Sequence, residues 1–68
     1  MKKHTKCFGV YHWDTFDNET MLIAEFDGFN ETMDWIHKHY GTRLHPVGAD
    51  RVDVVNQEGT VIRSMSVR

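Results

Sequence analysis

The chain has 68 residues, of which 40% are hydrophobic and 26% are charged, and its net charge is −2. This balance is typical of a globular protein rather than a disordered one, and the length predicts a single domain, residues 1–68, with no room for a second core. Cys7 is the only cysteine. An internal disulfide is therefore excluded, and association with another molecule is one way for so small a core to gain stability.

Residues 1–5 are predicted to form a flexible basic N-terminal segment. No apolar run of the length of a signal peptide or a membrane span follows them. We therefore expect a cytoplasmic protein without membrane contact.

The next part of the chain predicts a β-hairpin. Residues 6–14 alternate in the manner of a strand, and residues 21–27 form the return strand. Between them, residues 15–20 are rich in turn-forming side chains, with Asp17 and Asn18 at the predicted tip.

Residues 29–41 form the one segment with helical periodicity and a signal at each end. Asn30 is the predicted N-cap residue, and Gly41 is the predicted stop because glycine accepts a left-handed conformation. On a helical wheel, four residues face the sheet and three lie nearly opposite, where they are exposed. The sheet-facing set is Met33, Ile36, His37 and Tyr40, and the exposed set is Thr32, Trp35 and His39.

The remaining residues predict a loop and a second hairpin. Residues 41–50 contain the only proline, residues 51–56 and 60–67 predict two strands, and residues 57–59 predict the turn between them. The order ββαββ predicts an α+β fold with two layers. A four-stranded, largely antiparallel sheet carries the single helix on one face.

One helix cannot cover both faces of such a sheet, so the face opposite the helix, the far face, needs its own explanation. Strand alternation places four apolar side chains there: Tyr11, Trp13, Met21 and Ile23. This face either pairs with a second copy of the chain, or meets another partner, or is closed by curling of the outer strands. A homodimer and curling are equally compatible with the pattern.

Charges are segregated along the sequence. No Lys or Arg occurs between Cys7 and Asp34, and the acidic residues of that block are Asp14, Asp17, Glu19, Glu25, Asp27, Glu31 and Asp34. Such asymmetry is typical of an interaction surface, although solvated strand and turn faces produce it by chance as well.

No residue pattern predicts catalysis, a cofactor or a metal site, and the protein is not expected to be an enzyme. Carboxylates at a hairpin tip lie in solvent, unlike an acid–base pair, and a lone cysteine within a strand is commonly a packing residue. On a helix, His37 and His39 lie about 200° apart and cannot hold one ion together. His4, Cys7 and His45 form a weaker metal-binding option that requires the fold to bring them together.

Single-stranded nucleic acid is the alternative ligand. Tyr11 and Trp13 on one strand face could stack bases, with Lys6 and Arg63 beside them. The net negative charge and the acidic first hairpin oppose this alternative, because phosphate binding depends on a basic surface.

A protein partner with a basic surface fits the charge pattern better. We expect a non-enzymatic protein–protein interaction module, either a homodimer or an acidic modulator of a basic nucleic-acid-handling protein, by analogy with small phage-type inhibitors. Aromatic anchors and steering charges define the predicted partner-binding residues. They are Tyr11, Trp13, Asp14, Phe16, Asp17 and Glu19 on the hairpin, with Trp35 and His39 as a second patch.

Overall fold

The computed structural model describes residues 4–67. Their elements in chain order are β1 (Phe8–Asp14), β2 (Glu19–Phe26), α1 (Phe29–Tyr40), a 3-10 turn (Gly41–Arg43), β3 (Asp50–Val55) and β4 (Val61–Val67). The predicted order ββαββ and the α+β class are confirmed.

The four strands form one sheet in the order β2-β1-β3-β4, and each neighbouring pair is antiparallel. Because β2 and β3 are both antiparallel to β1, they run parallel to each other, and α1 connects them across one face. The core lies between that face and the helix, where Val10, Val52 and Val54 pack with Ile36 and Tyr40. Burial of these β-branched residues against one amphipathic helix stabilises the two-layer arrangement.

A β-bulge in β2 changes which of its side chains face the helix. Val10 pairs with Ala24 and Tyr11 pairs with Leu22, so Ile23 is an extra residue at this position. Ile23 and Ala24 both pack against the core beneath the helix. The prediction that Ile23 lies on the far face is therefore wrong.

The same bulge moves Met21 off the far face. Met21 pairs with His12, whose ring is hydrogen-bonded to the Tyr40 hydroxyl of α1 at 2.7 Å. Directly paired residues share a face. Met21 thus lies on the helix side, where 56% of it is exposed, and its predicted position is wrong as well.

The buried stripe of α1 consists of Thr32, Ile36 and Tyr40, and it is rotated from the predicted one. Thr32 is 0% exposed, and its hydroxyl donates a hydrogen bond to the Gly28 carbonyl at 2.7 Å. Burial therefore leaves no unpaired hydroxyl. His37, predicted to face the sheet, is exposed, so the wheel misplaced both Thr32 and His37.

Trp35 is half-buried rather than exposed, which corrects its predicted position. Its ring centroid lies 5.8 Å from that of Phe26 at the end of β2. On its other side, it stacks on the His39 ring at 4.5 Å with an angle of 9° between the planes. His39 is exposed, as the wheel predicts.

The ends of the helix agree with the sequence at one terminus only. Gly28 is the N-cap, no side chain caps the first turn, and Asn30, the predicted cap, already lies within the helix. At the other end, Gly41 has a φ of 52° and its N–H donates to the His37 carbonyl. Gly41 therefore ends the helix as predicted, with a positive φ that favours glycine, although its ψ of −124° lies outside the left-handed helical region.

The segment before β1 covers one end of the far face. His4 is buried, and its Nδ1 lies 3.0 Å from the hydroxyl of Tyr11, which is only 3% exposed. The Glu25 carboxylate accepts the N–H groups of Thr5 and Lys6 at 2.6 and 3.3 Å. These backbone hydrogen bonds hold the pKa of Glu25 below its usual value. Tyr11 is thus buried within one copy of the chain, without strand curling or association.

The predicted flexible segment of residues 1–5 falls partly outside the described residues, because residues 1–3 are not described. Of the other two residues, His4 contacts Tyr11 and Thr5 contacts Glu25.

The centre of the far face is more polar than the sequence pattern indicates. Asp53 is 2% exposed and pairs in register with Tyr11. Its carboxylate accepts a hydrogen bond from the Ser64 hydroxyl and forms an ion pair with Arg51 Nε at 3.2 Å. The Arg51 guanidinium also lies over the Trp13 ring, 5.0 Å from its centroid. The buried carboxylate is tolerated because it is paired and hydrogen-bonded.

Candidate protein-binding site

The turn between β1 and β2 is held in a defined conformation. The Phe16 N–H donates to the Asp14 carboxylate at 2.8 Å, which is the hydrogen bond of an Asx turn. Asn18 has a positive φ of 54°, a conformation that asparagine tolerates better than most residues. The side chains of the turn are therefore presented from a structured backbone.

Asp50 at the start of β3 ties this turn to the rest of the fold. One of its carboxylate oxygens accepts hydrogen bonds from the Thr15 N–H at 3.2 Å and the Thr15 hydroxyl at 3.1 Å. The other accepts from His12 Nε2 at 3.1 Å. Since a carboxylate can only accept, Nε2 carries a proton. Nδ1 of the same ring is hydrogen-bonded to the Tyr40 hydroxyl at 2.7 Å. Thr15, Asp50, His12 and Tyr40 thus connect the turn to the helix.

Two side chains of this network have shifted pKa values, Asp50 and Tyr40. Hydrogen bonds from His12 and then from the Thr15 N–H lower the pKa of Asp50. Burial raises the pKa of Tyr40, with a smaller raising effect from Asp50 and an opposing one from Arg43. At neutral pH, Asp50 is therefore ionised, and the Tyr40 hydroxyl keeps its proton.

This network was not predicted from the sequence. The sequence contains one signal of it: His12 alternates with Phe8 and Val10, which places a polar ring on an otherwise apolar strand face. Its partner Asp50 lies 38 residues further along the chain, and no local pattern links residues at that separation.

An exposed aromatic residue and acidic side chains occupy the same turn. Phe16 is 93% exposed, the highest value among the large hydrophobic residues of the described chain. Asp17 and Glu19 are exposed beside it, and Asp14 is half-buried. We name this set of four residues the acidic turn.

The other predicted site residues lie on different surfaces. Tyr11 is buried beneath His4 and offers little surface to a partner in this arrangement. Trp13 lies on the far face under Arg51. Trp35 and His39 stack on the outer side of α1. The fold thus brings together the acidic turn on one surface and Trp35 with His39 on another, while Tyr11 and Trp13 lie on the far face.

The residues of the nucleic-acid alternative are also divided. Arg63 pairs with Val54, a core residue beneath α1, and its guanidinium lies 5.5 Å from the Phe29 ring centroid at the start of the helix. Trp13 lies on the opposite face of the sheet. Binding of single-stranded nucleic acid stays a prediction, but these two residues cannot contact one strand on a single face.

Within residues 4–67, no three His, Cys, Asp or Glu side chains are grouped to hold a metal ion. His45 Nδ1 is instead hydrogen-bonded within its own loop, at 2.9 Å from the Val47 carbonyl. No helix in the described part of the chain is long and apolar enough to span a membrane.

Comparisons with protein-family models, curated proteins and solved structures gave no match to this chain.

Proposed function

We propose that the protein is a non-enzymatic interaction module that binds a protein partner with a basic surface through the acidic turn. Phe16 is the anchor, and Asp14, Asp17 and Glu19 supply the steering charge. A basic nucleic-acid-handling protein is the class of partner that this charge suits best.

The observation that carries this proposal is the exposure of Phe16 in a fixed turn. Its side chain is 93% exposed, while its own N–H is bonded to Asp14 and the neighbouring Thr15 is bonded to Asp50. Burial of a phenylalanine side chain in a partner's pocket is worth about 1.5–3 kcal/mol. Because the turn is already ordered, little of that energy is lost in fixing the backbone on binding.

The charges around Phe16 favour a different protein over a second copy of this chain. Asp17 and Glu19 are both exposed next to the anchor. Two such turns facing each other would place like charges together, whereas a basic surface would attract the turn over a distance of about 10 Å at moderate salt.

Site-specific crosslinking in a host extract tests the proposal. A photoreactive phenylalanine analogue replaces Phe16 in one variant and Val61 in a control. Val61 is 47% exposed and pairs with Val55, which pairs with Gly9 at the far end of β1 from the turn. We expect a basic protein to be captured from position 16 and not from position 61.

Affinity for that captured protein, once purified, gives the quantitative test. Phe16→Ala should weaken binding about tenfold or more, as expected for an anchor. Asp17→Lys should slow association and reduce its dependence on salt, whereas Glu58→Lys on the β3–β4 turn should not. Unchanged affinity of Phe16→Ala, or capture of the same proteins from both positions, would disprove the proposal.

A further inference from the structure

β2 is an edge strand whose outer edge is open. No segment among residues 4–67 pairs with that edge. At the other edge of the sheet, β4 is partly covered, because Leu44 forms a bridge with Val67 and the His45 N–H donates to the Ser66 carbonyl. An open strand edge presents unpaired backbone groups to which an extended chain can add.

A groove adjoins the end of this strand. It has a volume of about 460 Å³ and is lined by Phe26, Glu31, Asp34, Trp35 and Lys38. The four helical residues are spaced so that they share one side of α1. Phe26 is the last residue of β2, so a chain that pairs with β2 would pass the mouth of the groove.

The walls of the groove suit a positively charged side chain. Phe26 and Trp35 provide aromatic surface, and the stack of Trp35 on His39 at 4.5 Å fixes the indole plane. Glu31 and Asp34 are exposed carboxylates on the same walls. Aromatic faces and carboxylates together attract a guanidinium or ammonium group.

The distribution of charge argues against a second copy in this groove. Glu19 and Glu25 lie near the two ends of β2, which contains no Lys or Arg. A second β2 added to this edge would therefore bring further carboxylates and no cation to Glu31 and Asp34. Lys38 lies in the groove with Glu31 and Asp34, so an incoming cation is directed towards the carboxylates and away from the Lys38 ammonium.

We propose that this groove binds an extended basic peptide segment, which adds as a strand to β2 and places one Arg or Lys side chain against Trp35, Glu31 and Asp34. The inference goes beyond the acidic turn to the open edge of β2 and its groove, which share only Glu19 with that turn. It depends on the proposed function only for the positive charge of the partner.

Titration with a defined peptide tests this inference by NMR. The probe is a short capped peptide of alternating Thr and Val with one central Arg, and its control has the neutral isostere citrulline at that position. We expect saturable shifts in the amide signals of residues 19–26 and 31–38, with slower hydrogen exchange along β2. The citrulline peptide should bind about tenfold more weakly, because it lacks the charge.

Matched variants locate the cation. Glu31→Gln and Asp34→Asn should each weaken binding of the Arg peptide about threefold or more, whereas Glu58→Gln on the β3–β4 turn should not change it. Equal binding of both peptides, or shifts that cluster away from α1 and β2, would overturn the cation site. Shifts in α1 without protection of β2 would overturn strand addition.

Phe16→Ala separates the two proposals. Phe16 lies outside β2 and the groove, so Phe16→Ala should bind the Arg peptide as the wild type does. A failed titration would therefore contradict only the peptide-binding inference. Crosslinking at position 16 tests the proposed function independently.

Discussion

Gly9 shows at the scale of one residue how the far face is closed. A Cβ atom at this position would lie 2.6 Å from His4 Nδ1 and 3.0 Å from the Tyr11 ring. The imidazole of His4 would have to move and uncover Tyr11. We expect Gly9→Ala to lower the free energy of unfolding by about 1–3 kcal/mol, measured by urea denaturation.

Gly28→Ala is the matched control for that substitution. Its added Cβ would meet only the Glu31 Cβ, at 3.8 Å, and its φ of −112° suits any residue. Alanine is a poorer N-cap residue than glycine but lowers the entropy of the unfolded chain, so the free energy of unfolding should change by less than about 1 kcal/mol. If Gly9→Ala is as stable as Gly28→Ala, His4 does not pack over Gly9 in solution.

Asp50 makes stability depend on pH. Its pKa is lowered in the folded protein, chiefly by the hydrogen bond from His12, so the folded chain binds this proton less tightly than the unfolded chain. Asp50 therefore stabilises the fold above its unfolded pKa, and this contribution is lost as the pH falls through the folded pKa. We expect the urea midpoint of the wild type to fall with acidification through this range, and Asp50→Asn to have a lower midpoint at neutral pH and a smaller acid dependence.

His12→Gln provides the partner test for that prediction. It removes the first cause of the lowered pKa, while the hydrogen bonds from Thr15 to Asp50 remain possible. Its acid dependence should lie between those of the wild type and Asp50→Asn. An Asp50→Asn variant with the full acid dependence of the wild type would contradict this account.

At the scale of the helix, substitutions at Thr32 and His37 test whether α1 has the orientation seen in the structure or the one predicted by the helical wheel. The wheel predicts an exposed Thr32 and a sheet-facing His37, whereas the structure buries Thr32 and exposes His37. We expect Thr32→Lys to lower the free energy of unfolding by about 3 kcal/mol or more, because it places an ammonium group among apolar side chains. His37→Lys should stay within about 0.5 kcal/mol of the wild type. Both changes are measured by urea denaturation. A larger loss of stability in His37→Lys than in Thr32→Lys would support the orientation predicted by the helical wheel.

Element type and order could be predicted from the sequence because each depends on local chemistry. Strand alternation, the turn residues near Asn18 and the glycine at position 41 act within a few neighbours along the chain. The side of the helix that faces the sheet was predicted less accurately, because a helical wheel assigns a polar side chain such as that of Thr32 to the exposed side. Its hydroxyl is satisfied by the Gly28 carbonyl one turn earlier, and threonine therefore fills an apolar position.

The bulge in β2 had no local signal. Ile23 is one apolar residue in an apolar run, and its extra place becomes visible only when β1 pairs with β2. A shift of one residue moves side chains to the other face, so this single position misplaced Met21 and Ile23. Of the candidate site, the acidic turn could be predicted because its residues all lie within positions 14–19. Its link to Asp50 could not, because it depends on the distant start of β3.

At the scale of the whole molecule, the structure weakens the argument for a homodimer. That prediction requires an open apolar far face. Met21 and Ile23 lie on the helix side, Tyr11 is covered by His4, and Asp53 occupies the centre of the far face. Stable dimer interfaces bury about 1,200–2,000 Å² of predominantly well-packed surface, and a face with a paired carboxylate at its centre is poorly suited to that role.

We therefore expect the wild type to sediment as a monomer at micromolar concentrations. His4→Ala should uncover Tyr11 and shift the equilibrium towards association, because the cover of the far face is then reduced.

A wild-type dimer would contradict this expectation. In that case, Trp13→Ala identifies the surface through which the two copies associate. Trp13 lies on the far face beside Arg51, so a dimer formed through that face dissociates on loss of the indole, whereas a dimer that persists in Trp13→Ala uses another surface.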